Sequence, residues 1–152
     1  MVLFKATKPN YTLVATSLSF GIASILCYLH NQYLLSTLTA MLMLTSIQFH
    51  GNPALLAFLL DQTMIGAVIC TGFVIMWPLG LTALSLALMF KCYCIFIYYG
   101  PYRDSLAYHP NQQIADVWHG SMHVVLALLI AGLCILLNNQ RPLSVMNGVE
   151  QG

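Results

Sequence analysis

Apolar residues fill five long blocks of this chain, and each block is closed by a short polar, proline- or glycine-containing break. The first block runs from about Tyr11 to Leu29 and ends at His30-Asn31-Gln32. The second runs from about Tyr33 to His50, where Gly51-Asn52-Pro53 interrupts the helix and Pro53 suits the first turn of the next one. The third spans about Ala54 to Trp77, and Pro78-Leu79-Gly80 turns the chain. The fourth covers about Leu81 to Tyr99 and stops at Gly100-Pro101. A polar loop, Tyr102 to Asn111, precedes the fifth block, about Gln112 to Leu137. Each block approaches the roughly 20 residues that an α-helix needs to cross a bilayer. The pattern predicts an all-α fold: a polytopic membrane helical bundle of five transmembrane helices over residues 1–137, followed by a polar C-terminal tail over 138–152. The apolar run after Lys5 and Lys8 resembles a signal peptide, but with no convincing cleavage site it reads as a retained first helix.

Composition narrows the class. Charged residues make up 6% of the chain and hydrophobic residues 59%, too few charges to solvate a globule of 152 residues. The localisation expected is integral to a membrane, with several passes. A net charge of +1 and the lack of a basic tract leave no case for nucleic acid. Cys27, Cys70, Cys92, Cys94 and Cys134 all fall in apolar runs and read as small packing residues that do not report a redox compartment. Trp77, Tyr98, Tyr99, Tyr102 and Trp118 lie at block ends, as an interfacial aromatic belt would. Lys91 falls inside the fourth block, where insertion scales set a cost of about 2.5–3.5 kcal/mol; it reads as snorkelling or structurally paired.

Five other polar residues in the apolar blocks carry the candidate chemistry: Ser46, His50, Asp61, His119 and His123. Following alternate crossings from the side that holds Lys5 and Lys8 (side A), His50 ends the second helix near side A. Asp61 then lies about two turns into the third helix, and His119 and His123 fall in the side-A half of the last. All five reach one membrane level from three helices. Side A also carries Arg103, whereas the opposite side B has Arg141, so the positive-inside rule makes side A cytosolic or matrix-facing.

His119 and His123 are four residues apart and share a helix face. With His50 from a neighbouring helix they form a candidate three-histidine zinc site with one coordination position left for water. Asp61 is the natural base for that water, and Ser46, one turn before His50, would hold the water or donate to a developing oxyanion. Asp116, three residues before His119, is expected to orient its imidazole. His30 and His109 sit at block ends and need no role.

At Thr45-Ser46-Ile47-Gln48-Phe49-His50, Leu60-Asp61 and Trp118-His119-Gly120-Ser121-Met122-His123 the sequence resembles the CREST superfamily of membrane hydrolases, and the alkaline ceramidases within it in particular. The resemblance covers about half the chain. It implies zinc on His50, His119 and His123, Asp61 and Ser46 acting on zinc-bound water as the nucleophile, and hydrolysis of an amide or ester in a membrane lipid. Members of that superfamily have seven membrane helices, whereas this chain reads as five.

The expected function is therefore a zinc-dependent intramembrane lipid hydrolase, ceramidase-like, whose partner is its membrane lipid substrate. A homo-oligomer or a larger membrane complex is the assembly expected. Two other readings stand beside it: a non-catalytic membrane subunit of a larger complex, and a haem anchor with His50 and His119 or His123 as axial ligands.

Overall fold

The computed structural model of the chain describes residues 8–77 and 80–139, with Ala83 and Arg103 described by their backbone alone. Lys5, the Pro78-Leu79 turn, Arg141 and the tail beyond Asn139 lie outside the described residues. The described chain is an all-α bundle of five helical rods without strands. The first rod comes in two pieces, α1 (Tyr11–Ser17) and α2 (Ser19–Leu29), followed by α3 (Tyr33–Gly51), α4 (Leu55–Met76), α5 (Leu81–Tyr99) and α6 (Gln112–Asn139). A 3-10 turn at Arg103–Ser105 shapes the loop between α5 and α6. These boundaries fall within a few residues of the apolar blocks, because the breaks are set by local chemistry that tertiary packing does not override.

Three of the rods, Tyr11–Leu29, Leu55–Met76 and Gln112–Asn139, are long and apolar enough to cross a membrane, and the chain is a membrane protein on that ground. Leu84–Tyr99 is a shorter apolar helix. Large apolar side chains such as Ile25, Leu56, Val74, Leu88 and Leu128 point outward, as they do where the surrounding medium is lipid.

The interior is small. Phe20, Leu35, Leu42, Val68, Ile130 and Leu133 form its centre. Apolar attraction between helices is weak in lipid, so close approach and hydrogen bonds must hold the rods together. Ser24 and Ser36 supply such a link: each hydroxyl donates to the other residue's carbonyl, at 2.8 and 2.9 Å, and joins α2 to α3. Gly120 lets α6 meet α1 closely, since a Cβ there would stand 2.8 Å from Thr16 Cγ2. Helices α1, α2, α3, α4 and α6 pack as a group, while α5 is held chiefly by α6 and diverges from α4.

The cysteines depart from expectation. Cys27 of α2 and Cys134 of α6 form a disulfide, with Cα atoms 5.4 Å apart, at the end of the bundle opposite Tyr11. Spacing could not reveal the pairing because the two residues are separated by 107 positions. Cys70, Cys92 and Cys94 are free thiols.

The break between α1 and α2 is local. Thr16 and Ser17 hydroxyls donate back to the Leu13 carbonyl at 3.1 and 2.8 Å, and Ser19 donates to the Thr16 carbonyl. The Leu18 amide bonds to Ala15 in a tightened turn. Hydroxyls that compete for helix carbonyls in this way bend the rod. The bend presents Thr16 and Ser17 to the functional site.

Candidate metal centre

His50 lies in the last turn of α3, one turn after Ser46, and both are buried. The end of α3 is fixed from outside the helix: the Asn10 amide donates to the His50 carbonyl at 2.8 Å, while the Asn10 side chain caps α1 at Leu13. Asp61 sits in the second turn of α4 and is 4% exposed. His119 and His123 lie one turn apart on α6.

The three imidazoles meet. Ring centroids are 5.2 Å apart for His50–His119, 5.2 Å for His50–His123 and 5.1 Å for His119–His123. One nitrogen of each lies within 4.8 Å of the others, which arranges the group to hold a metal ion. Tetrahedral zinc, with Zn–N near 2.0–2.1 Å, separates its ligand nitrogens by about 3.3 Å, so modest inward rotation of the rings completes the geometry.

Two of the three rings are held through Nδ1. Tyr98 of α5 shares a 2.9 Å hydrogen bond with His119 Nδ1, and Thr16 of α1 shares one of 3.0 Å with His123 Nδ1. Ser17 stands 3.5 Å from the same His123 nitrogen. These bonds occupy Nδ1 of both rings and leave Nε2 for a metal, the division that outer hydrogen-bond partners impose on metal-ligating histidines.

Asp116 was expected to hold His119. It stays within electrostatic reach of that ring, yet its Oδ1 accepts a 2.6 Å hydrogen bond from Gln112, and Tyr98 takes the His119 nitrogen. Tyr98 itself was placed in the interfacial belt, but it is half-buried and faces inward.

Ser46 and Asp61 complete the group. Ser46 Oγ lies 2.9 Å from Ser17 Oγ. Ser17 also reaches the Leu13 carbonyl and Ser46 the Asp61 carboxylate, so the two hydroxyls link α1, α3 and α4 in one chain of hydrogen bonds. The Ser46 and Thr45 hydroxyls lie against the Asp61 carboxylate. Asp61 Oδ1 is buried and finds no hydrogen-bond partner among the described residues. An unsatisfied carboxylate oxygen beside hydroxyls, in the wall of the cavity that His119 and His123 also line, is expensive in structural terms, and it fits a donor that arrives with a metal or a substrate.

Two cavities flank the histidines. The smaller, about 730 Å³, opens at the Asn10 end of the bundle and reaches His50 and His119 past Lys8, Asn10, Thr12, Gln112 and Asp116. The larger, about 1210 Å³, reaches Ser46, Asp61, His119 and His123 and extends between α4 and α5 along apolar side chains such as Ile65, Val68 and Leu126. Lys91 is exposed and lines this cavity, as does Ala107 of the long loop. The same loop buries Leu106.

Thr16, Ser17 and Tyr98 are the site residues that sequence reasoning missed. The hydroxyl doublet in the first block is the one signal that could have exposed the first helix as a contributor; Tyr98 gave none beyond its aromatic character.

Fold and site together define a helical membrane protein with a three-histidine group suited to a metal ion. No protein-family model, no curated protein and no solved structure matches the chain.

Proposed function

We propose that this protein is a zinc-dependent intramembrane hydrolase of a lipid amide or ester bond, of the kind its resemblance to the CREST superfamily and its alkaline ceramidases implies. The observation that carries the reading is the meeting of His50, His119 and His123, from two helices, within 4.8 Å, with the unpartnered Asp61 Oδ1 in the wall of the cavity that His119 and His123 also line. Imidazole suits zinc, and three such ligands leave a coordination position for chemistry. Bound there, zinc would supply a Lewis acid for the scissile carbonyl and lower the pKa of water toward about 7.

This chain's own residues do the rest. Asp61 accepts the proton of the attacking water and returns it to the departing nitrogen or oxygen as the carbonyl–heteroatom bond breaks. Ser46 turns its hydroxyl to the carbonyl oxygen as negative charge grows there. Tyr98 and Thr16 keep the His119 and His123 rings in place. The apolar cavity takes the acyl chain from the bilayer, and the cavity at the Asn10 end admits water.

Five membrane crossings accompany this reading. Helix α3 lies in chain order between two rods that are long enough to span, and so does α5, so each would cross in turn. Lys8 lies at the metal-site end and the Cys27–Cys134 disulfide at the other. Basic residues favour the cytosolic or matrix side, and disulfides persist on an oxidising side. The metal site then opens toward the cytosol or matrix.

The loose attachment of α5 favours one second reading, a membrane subunit whose partner covers the gap beside α4. A haem anchor fits less well, because a macrocycle needs a flat slot between two axial imidazoles and here the third imidazole touches both. Replacing His119 or Asp61 with Ala and assaying lipid amide and ester hydrolysis in detergent tests the hydrolase; loss of turnover is expected, and unchanged turnover contradicts it.

A further inference from the structure

The histidines stand between two chambers of unlike character. His119 and Phe49 line both, His50 lines the smaller and His123 the larger. A bond broken at the histidines would therefore divide its substrate between them. The acyl half belongs in the larger, apolar chamber, which is open to the bilayer between α4 and α5. The departing half then faces the smaller chamber at the Asn10 end.

That chamber has a fixed acceptor. Asp116 is 8% exposed, lines the chamber wall, and lies one turn before His119 on α6, about 4.5 Å along the axis. Gln112 donates to its Oδ1 at 2.6 Å and orients the carboxylate, while its other acceptor positions remain for a ligand. The chamber's cation, Lys8, is exposed at the start of the described chain, whereas Asp116 is held inside the wall. A carboxylate in such a wall favours a hydrogen-bond donor and repels an anion. The chamber sets Asn10, Thr12, Gln112 and Asp116 among Leu13, Phe49 and Pro53, a mixed wall beside the predominantly apolar larger chamber.

Building on the hydrolase reading, we infer that the substrate is an acyl lipid with a compact head that donates hydrogen bonds, and that Asp116, seated by Gln112, selects that head. Anionic heads are what this wall rejects.

Equilibrium binding to the full chain in detergent tests the inference without requiring turnover. The probes are N-oleoylethanolamine and N-oleoylglycine. The donor-headed lipid is expected to bind about tenfold more tightly than the anionic one, the difference that one charge-assisted hydrogen bond supplies. In Asp116→Asn this preference over N-oleoylglycine should collapse toward parity. Gln112→Ala, at an exposed position that the fold tolerates, should reduce it about threefold, since one orienting bond is lost. Equal or tighter binding of the anionic lipid by the wild-type chain overturns the inference. So does a preference that survives both substitutions. Selective binding of N-oleoylethanolamine without hydrolysis would uphold the head-group selection and sink the hydrolase reading alone.

Discussion

Tyr98 and His119 belong to different helices and share a hydrogen bond of 2.9 Å at the imidazole Nδ1. The bond does two things. It occupies Nδ1 of His119 and leaves Nε2 for a metal, and it fastens α5, the least anchored rod, to the site. Tyr98→Phe keeps the ring and removes the hydroxyl. Zinc affinity should fall about 10–100-fold, as it does when an outer partner of a metal-ligating histidine is lost. Competition with a chromogenic chelator measures this; an unchanged affinity would mean that the phenol does not orient the ligand.

Gly120 makes room for Thr16, the outer partner of His123. A Cβ at residue 120 would meet Thr16 Cγ2 at 2.8 Å and Oγ1 at 3.1 Å, so one side must move. Gly120→Ala should therefore push α1 from α6 and weaken the Thr16–His123 bond. The expected result is about a tenfold loss of zinc affinity with the helical content retained, read by chelator competition and circular dichroism. Gly120→Ala with zinc affinity unchanged would show that α1 is not part of the support.

Asp61 separates metal binding from chemistry. It offers its carboxylate to the space beside the histidines without completing the three-nitrogen group. Asp61→Asn preserves shape and removes the base. Zinc content should stay at the wild-type level while lipid hydrolysis falls by about 10²–10⁴-fold, the usual contribution of a positioned general base. Loss of zinc together with activity would instead make Asp61 a ligand.

The Cys27–Cys134 disulfide links the first and last rods far from the histidines. Cys27→Ser should lower thermal stability, by an amount equivalent to about 2–4 kcal/mol, and leave zinc stoichiometry intact. A thermal shift in detergent, with and without reductant, checks it: reductant should destabilise the wild-type chain and leave Cys27→Ser unaffected.

The sequence made the helices legible because the breaks at His30-Asn31-Gln32, Gly51-Asn52-Pro53 and Gly100-Pro101 are local events. Spacing put His119 and His123 on one face, and counting crossings put His50 and Asp61 at their level; the structure brings these residues together. What stayed hidden depends on how rods rotate against one another. Tyr98 sits at a helix end where an aromatic residue needs no explanation, and only its rotation toward α6 makes it a partner of His119. Thr16 and Ser17 were hidden likewise, since small hydroxyl residues are ordinary in membrane helices. Asp116 shows the converse: its spacing from His119 suits a hydrogen bond, but Tyr98 takes the His119 Nδ1 and the carboxylate accepts from Gln112 instead.

Elemental analysis of the purified chain bears most directly on the metal centre. The account predicts about one zinc per wild-type chain and close to none in the folded variant with His50, His119 and His123 all replaced by Ala. A folded wild-type chain that takes up no zinc, or a variant that keeps the wild-type amount, would contradict it.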